Sequence, residues 1–318
     1  MRALHASGHD VGIIDDFSTG EHGRLTPDSP LYEGSVLDTT FVETSLRHFA
    51  AAAVVHIAAK KAVDESVANP LLYYRENVTG MQSVLEAMVA TGVRRILFSS
   101  SAAVYGEQAT SPVTEATPTV PSSPYGWTKL MGEQIIFDVA AAHGLSWSAL
   151  RYFNVAGAAL SELADRGENN LIPKVFRAIS SAVPPKVFGD DYPTSDGSCI
   201  RDYIHVDDVA DAHATVLNQM ATTDMAAIYN IGTGRGTSVL EIMAAVRQVT
   251  GINFACDIIA RRPGDPADVV ADPMKIRREL GWESRRDLTD TVDSAWQAWT
   301  ARTPSTASAR EGKGRCGG

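Results

Sequence analysis

Tyr125 and Lys129 stand four residues apart in the run Tyr125-Gly126-Trp127-Thr128-Lys129. On a helix, positions i and i+4 share one face. A cation held beside a phenol favours the phenolate. That lets a tyrosine act as a base near neutral pH, where a free phenol stays almost fully protonated. Taken alone, the spacing describes an exposed pair on a helix equally well. Its surroundings add the chemistry. Ser99-Ser100-Ser101 directly follows the apolar run Arg95-Ile96-Leu97-Phe98, and Ser123-Pro124-Tyr125 opens the next helical pattern. Ligands in open α/β sheets bind beyond the carboxyl ends of strands. A serine there, followed by the tyrosine and lysine, brings a hydroxyl, a phenol and an ammonium to one site.

The elements that must position these groups alternate in the first half of the chain. Val11–Ile14, Ala53–Ile57, Arg95–Phe98 and Trp147–Tyr152 are short apolar runs followed by turn residues, which read as buried parallel strands. Between them, 77–91 carries Val78, Met81, Val84, Leu85 and Met88 at helical spacing before Gly92, and 125–142 is a second long helical pattern ended by Gly144. Strand–helix alternation predicts a Rossmann-like, doubly wound α/β parallel sheet. Beyond residue 155 the prolines at 173, 184, 185, 193, 263, 266 and 273 break the rhythm, with further helical patterns at 206–220 and 238–250. The expected organisation is a dinucleotide-binding domain over 1–154 and a smaller mixed α/β substrate domain over 155–300, partly interleaved with the first. A Ser/Thr/Ala/Arg/Gly-rich tail over 301–318 is expected to be disordered.

Asp15-Asp16 closes the first readable strand as an acid closes the second strand of a dinucleotide-binding unit, where it accepts from the adenosine ribose. A first strand and a glycine-rich turn are then expected upstream. Only Met1–Gly8 lies there, and it reads as the tail of the first helix. A start assigned too late, or a fragment, is the expectation.

Composition narrows the class of function. The 318 residues carry a formal net charge of -10, a poor match to a nucleic-acid binder. The three cysteines, Cys199, Cys256 and Cys316, form no CxxC and no Cys/His cluster, so no zinc site is readable, and a reducing cytoplasm is expected. No apolar run approaches the roughly 20 residues that span a membrane.

Ser101, Tyr125 and Lys129 resemble the catalytic triad of the extended short-chain dehydrogenase/reductases. Several stretches are similar, more specifically, to the UDP-galactose 4-epimerase family. They are His56-Ile57-Ala58-Ala59-Lys60-Lys61-Ala62-Val63, Arg151-Tyr152-Phe153-Asn154, Asn169-Asn170-Leu171-Ile172-Pro173, Asp191-Tyr192-Pro193-Thr194, Arg201-Asp202-Tyr203-Ile204-His205-Val206 and Arg261-Arg262-Pro263-Gly264-Asp265. The likeness runs from about residue 4 to about residue 299. It implies NAD as cofactor and UDP-galactose/UDP-glucose interconversion. In that reaction Tyr125 takes the proton from the sugar 4-hydroxyl, hydride leaves C4, the 4-keto sugar turns over, and hydride returns to its other face. Ser101 would hold the same oxygen, and Lys129 would lower the tyrosine pKa and hold the nicotinamide ribose.

The likeness also implies a cofactor shell of Asp15, Asp16, Ser35, Val36, Ile57, Ala58, Ala59, Lys61, Asn77 and Phe153, besides Tyr125 and Lys129. It implies a substrate grip of Asn154, Asn170, Leu171, Val187, Phe188, Arg201, Arg262 and Asp265, besides Ser101 and Tyr125. Arg201 and Arg262 would present planar forks to the diphosphate, and Asp265 would hold the uridine ribose. Family members pair through the two long helices flanking the site, so a homodimer is expected through 77–91 and 125–142, with Met81, Met88, Leu130 and Ile135 facing outward.

Ala102-Ala103 stand where sugar 4,6-dehydratases carry an acid pair, and alanines cannot supply the acid and base that elimination needs. Ser35 stands where the family has Asp, and Val269 near a position where some members carry a bulky aromatic, which would leave room for an N-acetylated sugar. Gly232-Thr233-Gly234-Arg235-Gly236 looks like a phosphate loop but reads as a tight loop of the substrate half. The alternatives are another NDP-sugar epimerase, acting on an N-acetylhexosamine, a pentose or a uronate, or an inactive nucleotide-sugar-binding fragment.

Overall fold

The computed structural model describes residues 1–107, 111–167, 170–262 and 264–301. The tail expected to be disordered lies outside the described residues from 302 on, as do Asn169 and Pro263. The strands are β1 (Ile13–Asp15), β2 (Leu31–Glu33), β3 (Val54–His56), β4 (Arg95–Ser101), β5 (Ser146–Tyr152), β6 (Asn154–Ala156), β7 (Lys186–Phe188), β8 (Ile200–His205), β9 (Ala226–Ile231), β10 (Gly236–Ser238), β11 (Asp257–Ile259) and β12 (Asp268–Val269). The helices are α1 (Arg2–Ala6), α2 (Thr39–Phe49), α3 (Val63–Ala68), α4 (Pro70–Tyr73), α5 (Gly80–Thr91), α6 (Pro124–His143), α7 (Leu171–Ser180), α8 (Val206–Thr222), α9 (Val239–Thr250), α10 (Met274–Leu280) and α11 (Leu288–Thr300).

The main sheet runs β3-β4-β5-β9, all parallel, with His56 opposite Phe98 and Ser101 opposite Tyr152. Successive strand residues point to opposite faces. Ile96 and Phe98 therefore join Trp147 and Ala149 in one core with α2, α5 and α6. Leu97 and Leu150 join Leu4, Val216, Leu217 and Ile276 in the other, under α8 and α10. Burial on both faces is what made these strands continuous apolar runs rather than alternating ones. β1 and β2 form their own parallel pair, with Ile13 opposite Leu31. Among the described residues no strand joins that pair to β3, although Ile14 and Val36 pack into the same core as Val54.

The helical patterns appear where the sequence places them, and α5 and α6 stop at Gly92 and Gly144. One start differs. The stretch expected to begin α5 at Asn77 winds as a π-turn, Tyr74–Thr79, before the helix proper. Met81 and Met88, expected to face outward, are fully buried in the core, because α5 packs against α2 with that face.

The second half builds a sheet around β8. β6 and β12 pair with it in parallel and β10 antiparallel, while β7 and β11 form a separate parallel pair. α7, α9 and α11 cover a third core that includes Phe176, Val187, Tyr192 and Met243. β9 returns the chain to the first sheet, so the two halves share strands rather than following one another.

Candidate active site

The groups expected to be catalytic converge because α6 lies unusually close to β4. A Cβ at Gly126 would sit 2.6 Å from the Ala103 carbonyl oxygen, and one at Gly132 2.8 Å from the Phe98 ring. Only glycine permits those approaches, and they bring the first turn of α6 onto the turn that follows Ser101. Ser123 caps that turn, its hydroxyl accepting from the Gly126 N–H at 3.2 Å.

Lys129 is buried, 4% exposed, between α6 and the sheet. Its ammonium donates to the Ser99 carbonyl at 2.7 Å and lies 5.0 Å from the Phe98 ring centre and 6.0 Å from that of Tyr125. Burial lowers its pKa to about 8, against an upward pull from Glu133. Tyr125 is half-buried, and burial raises its phenol while a hydrogen bond with Ser101 pulls the other way. In the protein alone desolvation is the larger influence on the phenol, with the Lys129 ammonium held beneath the ring by its bond to the Ser99 carbonyl. Tyr73 holds the tyrosine ring edge-on at 6.5 Å between centres, and its own hydroxyl accepts from the Ala62 N–H and donates to Glu65.

The expected cofactor residues gather at the carboxyl ends of β1 to β5. Asp15 and Asp16 end β1, Ser35 and Val36 follow β2, Ile57 to Lys61 follow β3, and Phe153 follows β5. Asp16 accepts from the Ser18 N–H, and that bond together with nearby Lys60 holds its carboxyl below the usual range. An ionised acceptor at a strand end suits the hydroxyls of an adenosine ribose. Ile57 and Ala58 are exposed there, an apolar ledge for a planar ring. NAD fits this acceptor and this apolar surface. The only turn ahead of β1 among the described residues is the end of α1 at Gly8, and it makes no glycine-rich phosphate loop.

Several expected members stand differently from the sequence reading. The Asn77 amide is spent on the protein: it accepts from the Lys60 N–H and donates to the Lys60 carbonyl and to Thr128. It holds the loop after β3 against α6. Lys60, rather than exposed Lys61, is the lysine beside Asp16. Val36 packs its side chain into the core, and the Ser35 hydroxyl accepts from the Leu37 N–H.

At the other end, Arg201 donates to Asp265 at 2.5 Å and Arg262 pairs with the same carboxylate at 3.0 Å. The Arg262 guanidinium lies 4.5 Å above the Phe188 ring. One acid thus holds two guanidinium forks together, a ready pair for a diphosphate. Val187 differs: its side chain is in the third core, so only its backbone can face a ligand. Leu171 is half-buried against the same core, and Asn170 is exposed at the start of α7, donating to Asp165. The strand register links the two ends. Ser101 lies opposite Tyr152, Phe153 and exposed Asn154 follow, and Asn154 lies opposite Tyr203, two residues from Arg201. Val269 lies opposite Arg201 itself.

The glycine loop 232–236 already has its anion. The Asp202 carboxylate, fully buried, accepts from the Thr233 N–H and hydroxyl, the Gly234 N–H and the Ala271 N–H. It has no room for a phosphate, as the sequence reading expected.

Sequence reasoning missed the buried polar groups behind the triad. Tyr152 bonds Ser99 and His213, and His56 stacks on Phe98 with its pKa lowered by burial to about 3. Arg151 and Glu133 form a buried ion pair at 2.6 Å. One signal was available: Glu133 stands four residues past Lys129, on the face shared with Tyr125.

The sequence profile of the NAD dependent epimerase/dehydratase family matches residues 1–232. A UDP-glucose 4-epimerase of Lactobacillus helveticus is 42% identical over 301 residues, 93% of this chain and 91% of the relative. One of Corynebacterium glutamicum is 43% identical over 296 residues, 91% and 88% of the two chains. The crystal structure of UDP-glucose-4-epimerase from Stenotrophomonas maltophila, with bound NAD and formylated UDP-arabinopyranose, superposes with a TM-score of 0.89 at 38% identity over 93% of both chains. That of UDP-glucose 4-epimerase from Brucella ovis in complex with NAD gives 0.89 at 38% identity over 92% of both.

Proposed function

The chain belongs to the NAD dependent epimerase/dehydratase family, and we propose that within it the protein interconverts UDP-galactose and UDP-glucose. The observation that carries the reading is the continuity from Ser101, Tyr125 and Lys129, through Phe153 and Asn154, to the Arg201–Asp265–Arg262 cluster. A proton-handling end on β4 and α6 and a diphosphate-gripping end beside β8 are joined by the run from β5 into β6, as a nucleotide sugar requires.

NAD, when bound, supplies the hydride acceptor and donor at C4 of the sugar. The chain's own residues do the rest. Tyr125 takes the proton of the 4-hydroxyl and later returns it. Ser101 donates to the same oxygen and fixes its direction. Lys129 keeps a positive charge under the phenol as the proton leaves. Arg201 and Arg262 hold the diphosphate while the sugar turns, so that either face of C4 can be presented without release. Ala102 and Ala103 add no acid or base beside them, which favours epimerisation over loss of water.

A homodimer is part of this reading. Val89, Met131 and Phe137 are exposed on α5 and α6. A cavity of about 370 Å³ between those helices is lined by Leu85, Val89, Ile135 and Val139, and such apolar faces mark interfaces. Sedimentation should give a dimer, and Phe137→Glu a monomer. The cytoplasm is the proposed setting, because the unpaired thiols of Cys199 and Cys256 suit a reducing compartment.

Incubation of the chain with NAD and UDP-galactose should yield UDP-glucose. Turnover of UDP-N-acetylgalactosamine in its place would move the reading to N-acetylhexosamines, which a valine rather than a bulky aromatic at 269, opposite Arg201, would favour.

A further inference from the structure

Glu133 lies one helical turn beyond Lys129 on the face of α6 that carries Tyr125. It is 4% exposed and both of its oxygens are filled. One accepts from Ser100 Oγ at 2.5 Å and from Arg151 Nε at 2.9 Å; the other accepts from Arg151 Nη2 at 2.6 Å. Arg151 donates further to the Tyr105 hydroxyl at 3.0 Å and lies 4.9 Å from its ring centre, and Tyr105 donates to Asn230 at 2.6 Å. The network thus ties α6 to β4, to β5, to the turn after Ser101 and to β9.

Anchoring alone does not call for charge. A buried ion pair loses much of its attraction to desolvation, and apolar residues of similar volume hold such a place as well or better. What the charges do here follows from where they stand. Ser100, which Glu133 grips, is the neighbour of Ser101. Lys129 is a buried ammonium that donates to a neutral carbonyl, and Glu133 is the charge that pulls its pKa upward. Along α6 the order is phenol, ammonium, carboxylate, and the Arg151 guanidinium of β5 pairs with the carboxylate.

Resting on the epimerase reading above, we infer that Glu133, set by Arg151, is a positioning residue of the reaction. Its fixed negative charge keeps Lys129 an ammonium at working pH, and its bond to Ser100 sets the spacing of Ser101 from Tyr125. Without that charge, burial would discharge Lys129 at lower pH, and the tyrosine would need a higher pH to ionise. The groups that face this row from the packed elements are Tyr73 on α4, His56 on β3, Ser99 to Ser101 on β4 and Tyr152 and Arg151 on β5. Of these only Arg151 is a permanent cation; the other carboxylate nearby, Glu65 on α3, is taken up by the Tyr73 hydroxyl, so Glu133 is the carboxylate that stands next to Lys129 on α6.

The test compares the native chain with Glu133→Gln, with the apolar double variant Glu133→Leu/Arg151→Met, and with Ser100→Ala. Two readouts are followed. The first is the near-ultraviolet phenolate titration of the protein alone, taken against Tyr125→Phe, and it needs neither cofactor nor substrate. The second is the pH profile of kcat and KM on UDP-galactose. Both charge variants should move the Tyr125 titration and the acid limb of kcat upward by about one pH unit. At neutral pH kcat should fall about tenfold with KM little changed. The double variant removes Glu133 and Arg151 together, so that neither is left buried without its partner, and it decides the matter if Glu133→Gln does not fold. Ser100→Ala keeps both charges, and should lower kcat a few-fold while leaving the titration in place. A native titration in a charge variant that folds, or native kcat in Ser100→Ala, would overturn the proposal. If the native chain does not convert UDP-galactose, the epimerase reading fails by itself while the titration still reports on Glu133.

Discussion

The two ends of the site treat charge in opposite ways. Around α6 and β4 the charged groups are buried: Lys129, Glu133 and Arg151 are each no more than 5% exposed on the side chain or residue. At the β7–β8 end they stay near water: Arg262 has a side chain 52% exposed, and Arg201 and Asp265 keep 13% and 17%. Burial shifts protonation, which a proton-transfer step needs, and it costs stability. Partial exposure leaves charge available for a ligand's phosphates and subject to screening by salt. One end is tuned, and the other is held ready to bind.

The largest effect that would separate them is at Tyr125. Tyr125→Phe removes the base and should lower kcat by roughly 10²–10⁴-fold with KM nearly unchanged. A comparable rise in KM instead would mean that the phenol binds rather than reacts.

Lys129 gives the sharper contrast, because activity and stability should move in opposite directions. Its pKa lies at about 8, below the ordinary 10.5. The folded state therefore resists the proton that the unfolded chain accepts. That penalty is fully present below pH 8 and is relieved between 8 and 10.5, and it amounts to about 3 kcal/mol. Lys129→Met should abolish conversion and raise Tm at pH 7, despite the bond lost to Ser99. A fall in Tm would show that the lysine is there for packing.

Arg262→Ala should act on binding alone. KM for UDP-galactose should rise about tenfold while kcat holds, and the salt dependence of KM should flatten. An unchanged KM would remove Arg262 from the grip. The last contrast leaves the reaction untouched and lies on the acid side of stability. His56 is held neutral down to about pH 3, whereas an unfolded histidine takes its proton near 6.5. Stability should fall by about 1.4 kcal/mol per pH unit as pH drops from 6.5 towards 3. His56→Gln should flatten that fall in acid melts; an unaltered slope would place the lability elsewhere, for instance at His205 or His213, which burial also lowers.

What could be read in advance follows the range of the interaction. Ser101, Tyr125 and Lys129 were legible because one strand end and one helical repeat place them. The strands of the main sheet were legible because burial on both faces writes unbroken apolar runs. Arg201, Arg262 and Asp265 came only through likeness of motif: Arg201 is far in the chain from the other two and meets them because β8 pairs with β12. Glu133, Arg151, Tyr105 and Asn230 were not seen as a unit, since a polar network across four elements leaves no period in the sequence. Met81 and Met88 went wrong for a related reason. A helix wrapped on several sides is apolar on several sides, and nothing local says which face meets α2.

The most direct test of the account is conversion itself. The 318-residue chain is incubated with NAD and UDP-galactose, and the sugar anomeric proton is followed by nuclear magnetic resonance. The account predicts a UDP-glucose signal that grows to a constant ratio and is absent with Tyr125→Phe. A chain that binds both NAD and UDP-galactose yet leaves the galactose signal unchanged would contradict it.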